Sequence, residues 1–127
     1  MSPNKTILFP IFLIATVVQA QEIGVADIGS VVDSYKANQA RFVTKYRGKS
    51  FAGAVAFTGA RENMFIRGNF TGSFEVQGLK ISCSVDKKPD IDRLVELNPG
   101  DPVALKGVID DVTMGTLQLK PCDFKKN

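Results

Sequence analysis

Residues 79–109 decide the fold, and they read LKISCSVDKKPDIDRLVELNPGDPVALKGVI. Apolar and polar side chains alternate up to Val85, which is the period of a half-buried strand. After Lys87-Lys88-Pro89 the apolar residues take helical spacing, and Asp90 is a suitable N-cap for a short helix. The turn Asn98-Pro99-Gly100-Asp101 then returns the chain to strand alternation. The segment therefore predicts a strand, a short helix and a strand.

The flanking sequence completes a set of five strands. Alternation predicts a first strand from Phe51 to Thr58, a second from Met64 to Phe70, and a fifth that contains Leu117 and Leu119. The third strand begins at Phe74 and runs to Val85, with a bulge predicted at Gly78, where the inward series shifts by one residue. Five strands with a helix between the third and fourth are typical of the oligonucleotide/oligosaccharide-binding (OB) barrel. We therefore predict a mainly β fold, a five-stranded Greek-key barrel of the OB type.

An N-terminal helix over about residues 26–47 is predicted to precede the barrel. Its apolar stripe is interrupted at Asn38, which we expect to satisfy backbone groups where the helix packs on the barrel. The small side chains of Ala52, Ala54 and Ala56 share one face of the first strand, so the helix is expected to lie against that face. The stripe has the spacing of one helical face and consists of Ile28, Val31, Val32, Tyr35, Phe42, Val43 and Tyr46.

Residues 1–20 have the pattern of an export signal. Lys5 supplies positive charge, an apolar run follows, and Val18-Gln19-Ala20 suits a signal peptidase. Cleavage after Ala20 leaves residues 21–127 as one small domain. The alternative is an uncleaved membrane anchor, but the apolar run is short for a span of about 20 residues. We predict a periplasmic or secreted protein.

The charge of the mature chain is mild. Of 16 basic residues Lys5 is lost, so 15 remain against 13 acidic residues, a net charge of +2. This balance does not indicate a polyanionic partner.

Both cysteines, Cys83 and Cys122, lie in the mature chain, and export favours a disulfide between them. The alternative is two buried thiols, which strand parity supports because Cys83 points inward while Cys122 shares parity with outward Lys120. Parity is weak evidence near bulges.

These features resemble the tRNA_anti-like family of small OB-fold proteins, many of which are exported or are predicted lipoproteins. The resemblance covers nearly all of the mature chain and implies an OB barrel. Fold likeness alone does not assign a ligand. The residues that carry it are Tyr35, Asn38, Ala40, Tyr46, Gly48, Lys49, Gly53, Cys83, Gly100-Asp101-Pro102-Val103, Gly107 and Cys122.

Four residues are candidates for a binding face: Phe65 and Arg67 on the second strand, Lys80 on the third strand, and Arg61 in the loop between the first and second strands. The alternative is an ordinary solvated face on which the N-terminal helix covers Phe65. One aromatic ring and few cations make a poor platform for single-stranded nucleic acid. We therefore predict a binding module for another exported or envelope protein, with nucleic acid or an oligosaccharide as the alternative ligand.

Catalysis and cofactors are not predicted. The chain contains no His and no CxxC pair, so it offers no nucleophile paired with a base and no set of metal ligands. Asp110 and Asp111 are acid and base candidates, but turn carboxylates are usually solvated caps. We predict no enzyme, no metal and no cofactor.

Overall fold

The computed structural model describes residues 22–127. The predicted signal peptide, its cleavage after Ala20 and a mature start at Gln21 lie outside the described residues. The strands are β1 (Glu22–Ile23), β2 (Ser50–Glu62), β3 (Phe70–Val76), β4 (Leu79–Val85), β5 (Pro102–Thr113) and β6 (Thr116–Lys126). The helices are a 3-10 turn (Val25–Asp27), α1 (Ile28–Ala37), α2 (Gln39–Lys45) and α3 (Lys88–Val95).

Five of the strands close into a barrel. The order is β2, β3, β4, β6, β5, and β5 pairs back with β2. All these neighbours are antiparallel except β4 and β6, which run parallel. The helix α3 joins the third and fourth barrel strands. This is the predicted OB-type barrel, and the two-residue β1 adds a short parallel pairing outside it.

The predicted second and third strands are wrong in detail. Residues 64–69 form a loop, because β2 runs on to Glu62 and pairs there directly with Phe70. The predicted bulge at Gly78 is a two-residue hairpin turn, in which Gln77 and Gly78 have φ of 52° and 78°. Positive φ at both positions is the geometry that joins twisted antiparallel strands tightly. The predicted third strand is therefore the β3–β4 hairpin.

The N-terminal helix is two helices instead of one. Asn38 has extended backbone (φ −163°, ψ 98°) between α1 and α2, and its Oδ1 accepts a hydrogen bond from the N–H of Arg41 at 3.2 Å. Asn38 does satisfy a backbone group, as expected, but it does so as the N-cap of α2 and at an exposed position. Ile28, Val31, Val32 and Phe42 are buried in the same core as the barrel residues.

The N-terminal segment packs on a different face from the predicted one. The alanines on the outer face of β2 are not covered, since Ala54 is exposed and its neighbours are half-exposed. Val25 packs instead at Gly53, on the face that β2 turns inward with buried Phe51 and Val55. A Cβ atom at Gly53 would overlap the Val25 side chain. The missing side chain of Gly53 thus makes room for the segment that leads into α1.

At another side of the core, α3 packs its apolar side chains against the barrel. Leu94 is buried, and its Cδ1 would be 3.2 Å from a Cβ atom placed on Gly72. Arg93 lies over the Phe124 ring at 5.4 Å and donates a hydrogen bond to Asp123 at 2.9 Å. The helix begins at Lys88, before the predicted Asp90 cap. These contacts fix α3 to β6.

Cys83 and Cys122 form a disulfide, with their Cα atoms 6.0 Å apart. Strand parity suggested otherwise because β6 contains a bulge: two residues, Lys120 and Pro121, lie opposite the single residue Val108. Each extra residue reverses which side chains point inward. Cys122 therefore turns toward buried Cys83.

Candidate binding surface

The four predicted binding residues do not form one cluster. Arg61 was predicted in a loop, but it lies near the end of β2 and pairs with Thr71. Lys80 lies at the other end of the sheet face, on β4 opposite Glu75. The strand length between these two positions is about 13 Å, at roughly 3.3 Å for each of four residues. Phe65 and Arg67 are on the β2–β3 loop rather than on a strand.

This loop, residues 63–69, is held by hydrogen bonds that lie within it and at its base. The Asn63 Oδ1 accepts from the N–H groups of Phe65 and Ile66, at 2.8 and 3.2 Å. The N–H of Gly68, which has φ of 80°, donates to the Glu62 carboxylate at 3.0 Å. The N–H of Asn63 also donates to the Asn69 carbonyl, closing the base at 2.7 Å. The loop therefore satisfies much of its backbone internally and leaves its apolar side chains outside.

Three consecutive apolar side chains, which we call the apolar tip, project from the loop. Met64 is 90% exposed, Phe65 is 93% exposed and Ile66 is 56% exposed. The expectation that the N-terminal helix covers Phe65 is therefore wrong. Single exposed apolar residues are ordinary, but a contiguous exposed patch usually marks an interaction site.

The charge near the apolar tip is positive. Arg61 and Arg67 are both exposed, and neither forms an ion pair with any residue between 22 and 127. The nearby carboxylate of Glu62 is already hydrogen-bonded to the loop backbone. In sequence, the tip thus lies between two arginines that form no ion pair within the described part of the chain.

The sheet face beside the loop is polar and lacks aromatic side chains in the described chain. Its centre consists of short hydroxyl side chains, with charged side chains near its ends. Such a face has no platform on which bases could stack. The outward residues on β3, β4 and β6 are Thr71, Ser73, Glu75, Lys80, Ser82, Ser84, Thr116, Gln118 and Lys120.

Asp110 and Asp111, the acid and base candidates, lie within β5 rather than in a turn. The Asp111 carboxylate is 3.6 Å from the Arg47 guanidinium, and the Nε of Arg47 donates to the main-chain oxygen of Asp110 at 2.9 Å. Both contacts connect β5 to the chain after α2. They indicate a structural role for Arg47 and Asp111.

The groups with shifted pKa values lie outside the loop. The hydrogen bond that the Arg93 guanidinium donates to Asp90, and then the one that it donates to Asp123, raise the pKa of Arg93. The N–H of Asn98 donates to Asp101 at 2.8 Å and lowers the pKa of that carboxyl, with a smaller contribution from Lys126. Arg93 and Asp101 thus connect α3, and the turn that follows it, to the end of the barrel.

Between residues 22 and 127, no three His, Cys, Asp or Glu side chains are grouped so as to hold a metal ion. The same part of the chain contains no helix with the length and apolar character needed to span a bilayer.

The loop was predicted as a strand because an apolar run such as Met64-Phe65-Ile66 has the composition of a strand. The turn signal Gln77-Gly78 would have corrected this prediction. A hairpin turn there makes residues 70–85 two strands, β3 and β4, so that no strand is needed at residues 64–69. The resemblance to the tRNA_anti-like family stays a prediction. Compared with known protein families and with curated protein sequences, the chain matches none of them.

Proposed function

We propose that this chain is an exported, non-catalytic binding module that docks onto another exported or envelope protein through its apolar tip. The observation that carries the proposal is the near-complete exposure of Met64 and Phe65 on a hydrogen-bonded loop. Burial of one such side chain contributes about 1.5 to 3 kcal/mol. A partner that covers the tip therefore gains a substantial binding free energy from a small contact.

The composition of the loop favours a protein partner. Aromatic residues, Met and Arg are the types enriched in the buried cores of protein interfaces, and the loop with its base offers Arg61, Met64, Phe65 and Arg67. The internal hydrogen bonds of the loop also lower the entropy that would be lost on binding. We expect Phe65 to be the anchor and the arginines to form the rim.

Export is part of the proposal. The signal pattern of residues 1–20 supports it, and so does the disulfide, since such bonds persist mainly in oxidising compartments. We place the mature protein in the periplasm or outside the cell.

Single-stranded nucleic acid is the less favoured ligand. The sheet face offers no stacking ring within the described chain, and Phe65 is the one aromatic side chain on the loop. Fluorescence anisotropy with short oligonucleotides at two salt concentrations should show at most weak binding. Sub-micromolar affinity that falls steeply with salt and is lost in Phe65→Ala would put nucleic acid first.

Phe65→Ser tests the docking function, with Val95→Ser as its matched control. Val95 is also an exposed apolar residue, at 77%, but it lies on α3. Both changes should leave the free energy of unfolding within about 0.5 kcal/mol, because neither side chain is buried. Chemical crosslinking in intact cells should give a protein adduct with the wild type and with Val95→Ser.

The adduct should be lost in Phe65→Ser, because removal of an anchor costs about 2 kcal/mol or more, roughly 30-fold in affinity. Equal adduct yields in all three proteins would show that the tip does not dock on a protein. An adduct that contains lipid alone would assign the tip to the membrane instead.

A further inference from the structure

The end of β2 has a free strand edge beside the loop. β5 pairs with β2 as far as Ala56, and the turn before β5 continues along the same edge only to Phe57. The N–H of Phe57 donates to the Asp101 carbonyl at 2.9 Å, and its C=O accepts from the N–H of Gly100 at 2.7 Å. Beyond Phe57, β2 runs on to Glu62 and pairs there with β3 alone among residues 22–127. The edge that faces away from β3 is therefore open over residues 58–62.

The alternation of hydrogen bonds in an antiparallel pair determines which main-chain groups face this edge. The N–H of Asn63 donates to the Asn69 carbonyl, so these two residues form a hydrogen-bonded pair. Arg61, two residues earlier, then bonds to β3 in the same way, and the N–H and C=O groups of Ala60 and Glu62 point away from β3. No group between residues 22 and 127 bonds to them there. The edge thus presents two donors and two acceptors to a further strand.

The side chains along this edge leave it accessible. Thr58, Ala60 and Arg61 are exposed, and Gly59 is half-exposed. Gly59 and Ala60 have no long side chain that could lie across the edge. The carboxylate of Glu62 is held by the loop, where it accepts a hydrogen bond from the N–H of Gly68 at 3.0 Å. The main chain of a partner can therefore approach the free groups closely.

The charge at the edge selects the kind of strand that fits. Arg61 is exposed and forms no ion pair within the described residues, and Arg67 lies on the adjoining loop. A strand beside β2 places one side chain directly opposite Arg61, where an acidic residue is favourable. In the antiparallel direction, the residues that precede this acidic residue lie toward Asn63 and the apolar tip. The fitting segment therefore has apolar residues followed by an acidic one.

A second copy of this chain fits less well than such a segment. Two β2 edges that pair antiparallel use all four free groups when Ala60 of each copy lies opposite Glu62 of the other. This register places the two Arg61 side chains directly opposite each other, and like charges in that position are unfavourable. A charged residue on an edge is a common means of preventing self-pairing. Arg61 thus disfavours pairing between copies but favours an acidic strand.

We infer that the partner adds an antiparallel strand to the free edge of β2, with main-chain hydrogen bonds to Ala60 and Glu62 and an acidic side chain beside Arg61. In strand addition, main-chain bonds supply affinity and alternate side chains supply specificity. The inference rests on the proposed docking function and specifies the form of the partner. The docked element is an extended segment, apolar and then acidic, and its apolar residues cover the apolar tip.

The test uses a peptide probe. The mature protein selects binders from a displayed library of short random peptides, and the tightest binder should carry apolar residues ahead of an acidic one. Amide hydrogen exchange is then followed by NMR. In the free protein, the amides of Ala60 and Glu62 should exchange faster than that of Arg61, which bonds to β3. The bound peptide should slow both of them by at least about tenfold.

Changes in the peptide and in the protein separate strand pairing from other contacts. N-methylation of alternate peptide amides should abolish binding, and N-methylation of the intervening amides should leave it unchanged, since only every second amide of a strand faces its neighbour. Arg61→Glu should weaken binding by about tenfold or more. Arg41→Glu is the matched control, because Arg41 is an exposed arginine on α2 that also lacks an ion pair within the described residues, and it should bind normally. Circular dichroism establishes that both variants fold.

The inference is overturned if no peptide is selected, if the effect of N-methylation does not alternate, or if Arg61→Glu binds as well as Arg41→Glu. It is also overturned if Ala60 and Glu62 become protected without peptide as the protein concentration rises, because a second copy would then occupy the edge. Peptide binding that is lost in Phe65→Ser but does not protect Ala60 and Glu62 would retain docking through the tip and refute strand addition. Protection of both amides that persists in Phe65→Ser would support strand addition and refute docking through the tip.

Discussion

Reduction of the disulfide should cost this domain a large part of its stability. Cys83 and Cys122 are 39 residues apart in sequence. For a closed loop of that length, the chain-entropy relation gives about 4 kcal/mol at 25 °C. Small domains have roughly 5 to 15 kcal/mol in total.

Urea unfolding followed by circular dichroism, with and without a phosphine reductant, measures this difference. The reduced protein should unfold at lower urea, with a larger slope because its unfolded chain exposes more surface. The variant Cys83→Ala/Cys122→Ala is the control, since the reductant should not change it. If reduction lowers the free energy of unfolding by less than about 1 kcal/mol, the bridge does not restrict the unfolded chain, and the predicted stabilisation of about 4 kcal/mol is wrong.

Three further changes test the packing and the electrostatics. Gly53→Ala should destabilise the domain by about 1 to 3 kcal/mol, because the new methyl group would overlap the Val25 side chain. Gly59→Ala is the control and should cost less, because a Cβ atom there meets nothing within 4 Å. Thermal unfolding of both variants measures the difference. Arg93→Ala should cost about 1 kcal/mol in chemical unfolding through loss of its ring and carboxylate contacts, and an unchanged value would contradict that role. The folded-state pKa of Asp101 is lowered from its ordinary value of 3.8, so its contribution to stability is present above pH 4 and is lost as the pH falls further. The difference in melting temperature between wild type and Asp101→Asn should therefore narrow as the pH falls below 4, and a constant difference would argue against this carboxylate.

Local signals predicted the elements that depend on neighbours in sequence. The strand, helix and strand around α3 follow from alternation, helical spacing and a turn rich in Pro and Gly, and all three are present. The strand predicted from the apolar run at Met64 was wrong, because the composition of that run suits a strand as well as an exposed loop. Its state depends on Asn63, whose side chain turns the loop, and on the pairing of Glu62 with Phe70.

Bulges limited what alternation could predict beyond that. The extra residue Thr58 in β2 and the pair Lys120-Pro121 in β6 each reverse the inward series, and their positions depend on the partner strand. For this reason parity placed Cys122 on the outer face, while the presence of two cysteines in a chain predicted to be exported correctly favoured the bridge.

The candidate site was predicted only in part. Phe65 was selected as a surface residue of a strand, but the structure exposes it on a loop. The separation of Arg61 from Lys80 was not predicted, because it depends on the register in which β2, β3 and β4 pair. No local pattern determines that register.

Site-specific photo-crosslinking at Phe65 tests whether the apolar tip docks on another protein. A photoreactive phenylalanine analogue at position 65, in the protein produced by its native host, should form a discrete adduct with one envelope or secreted protein on irradiation. The same analogue at position 95 should form none, although Val95 is also exposed. Docking through the apolar tip is contradicted if position 65 yields no protein adduct, or if both positions yield the same set of adducts.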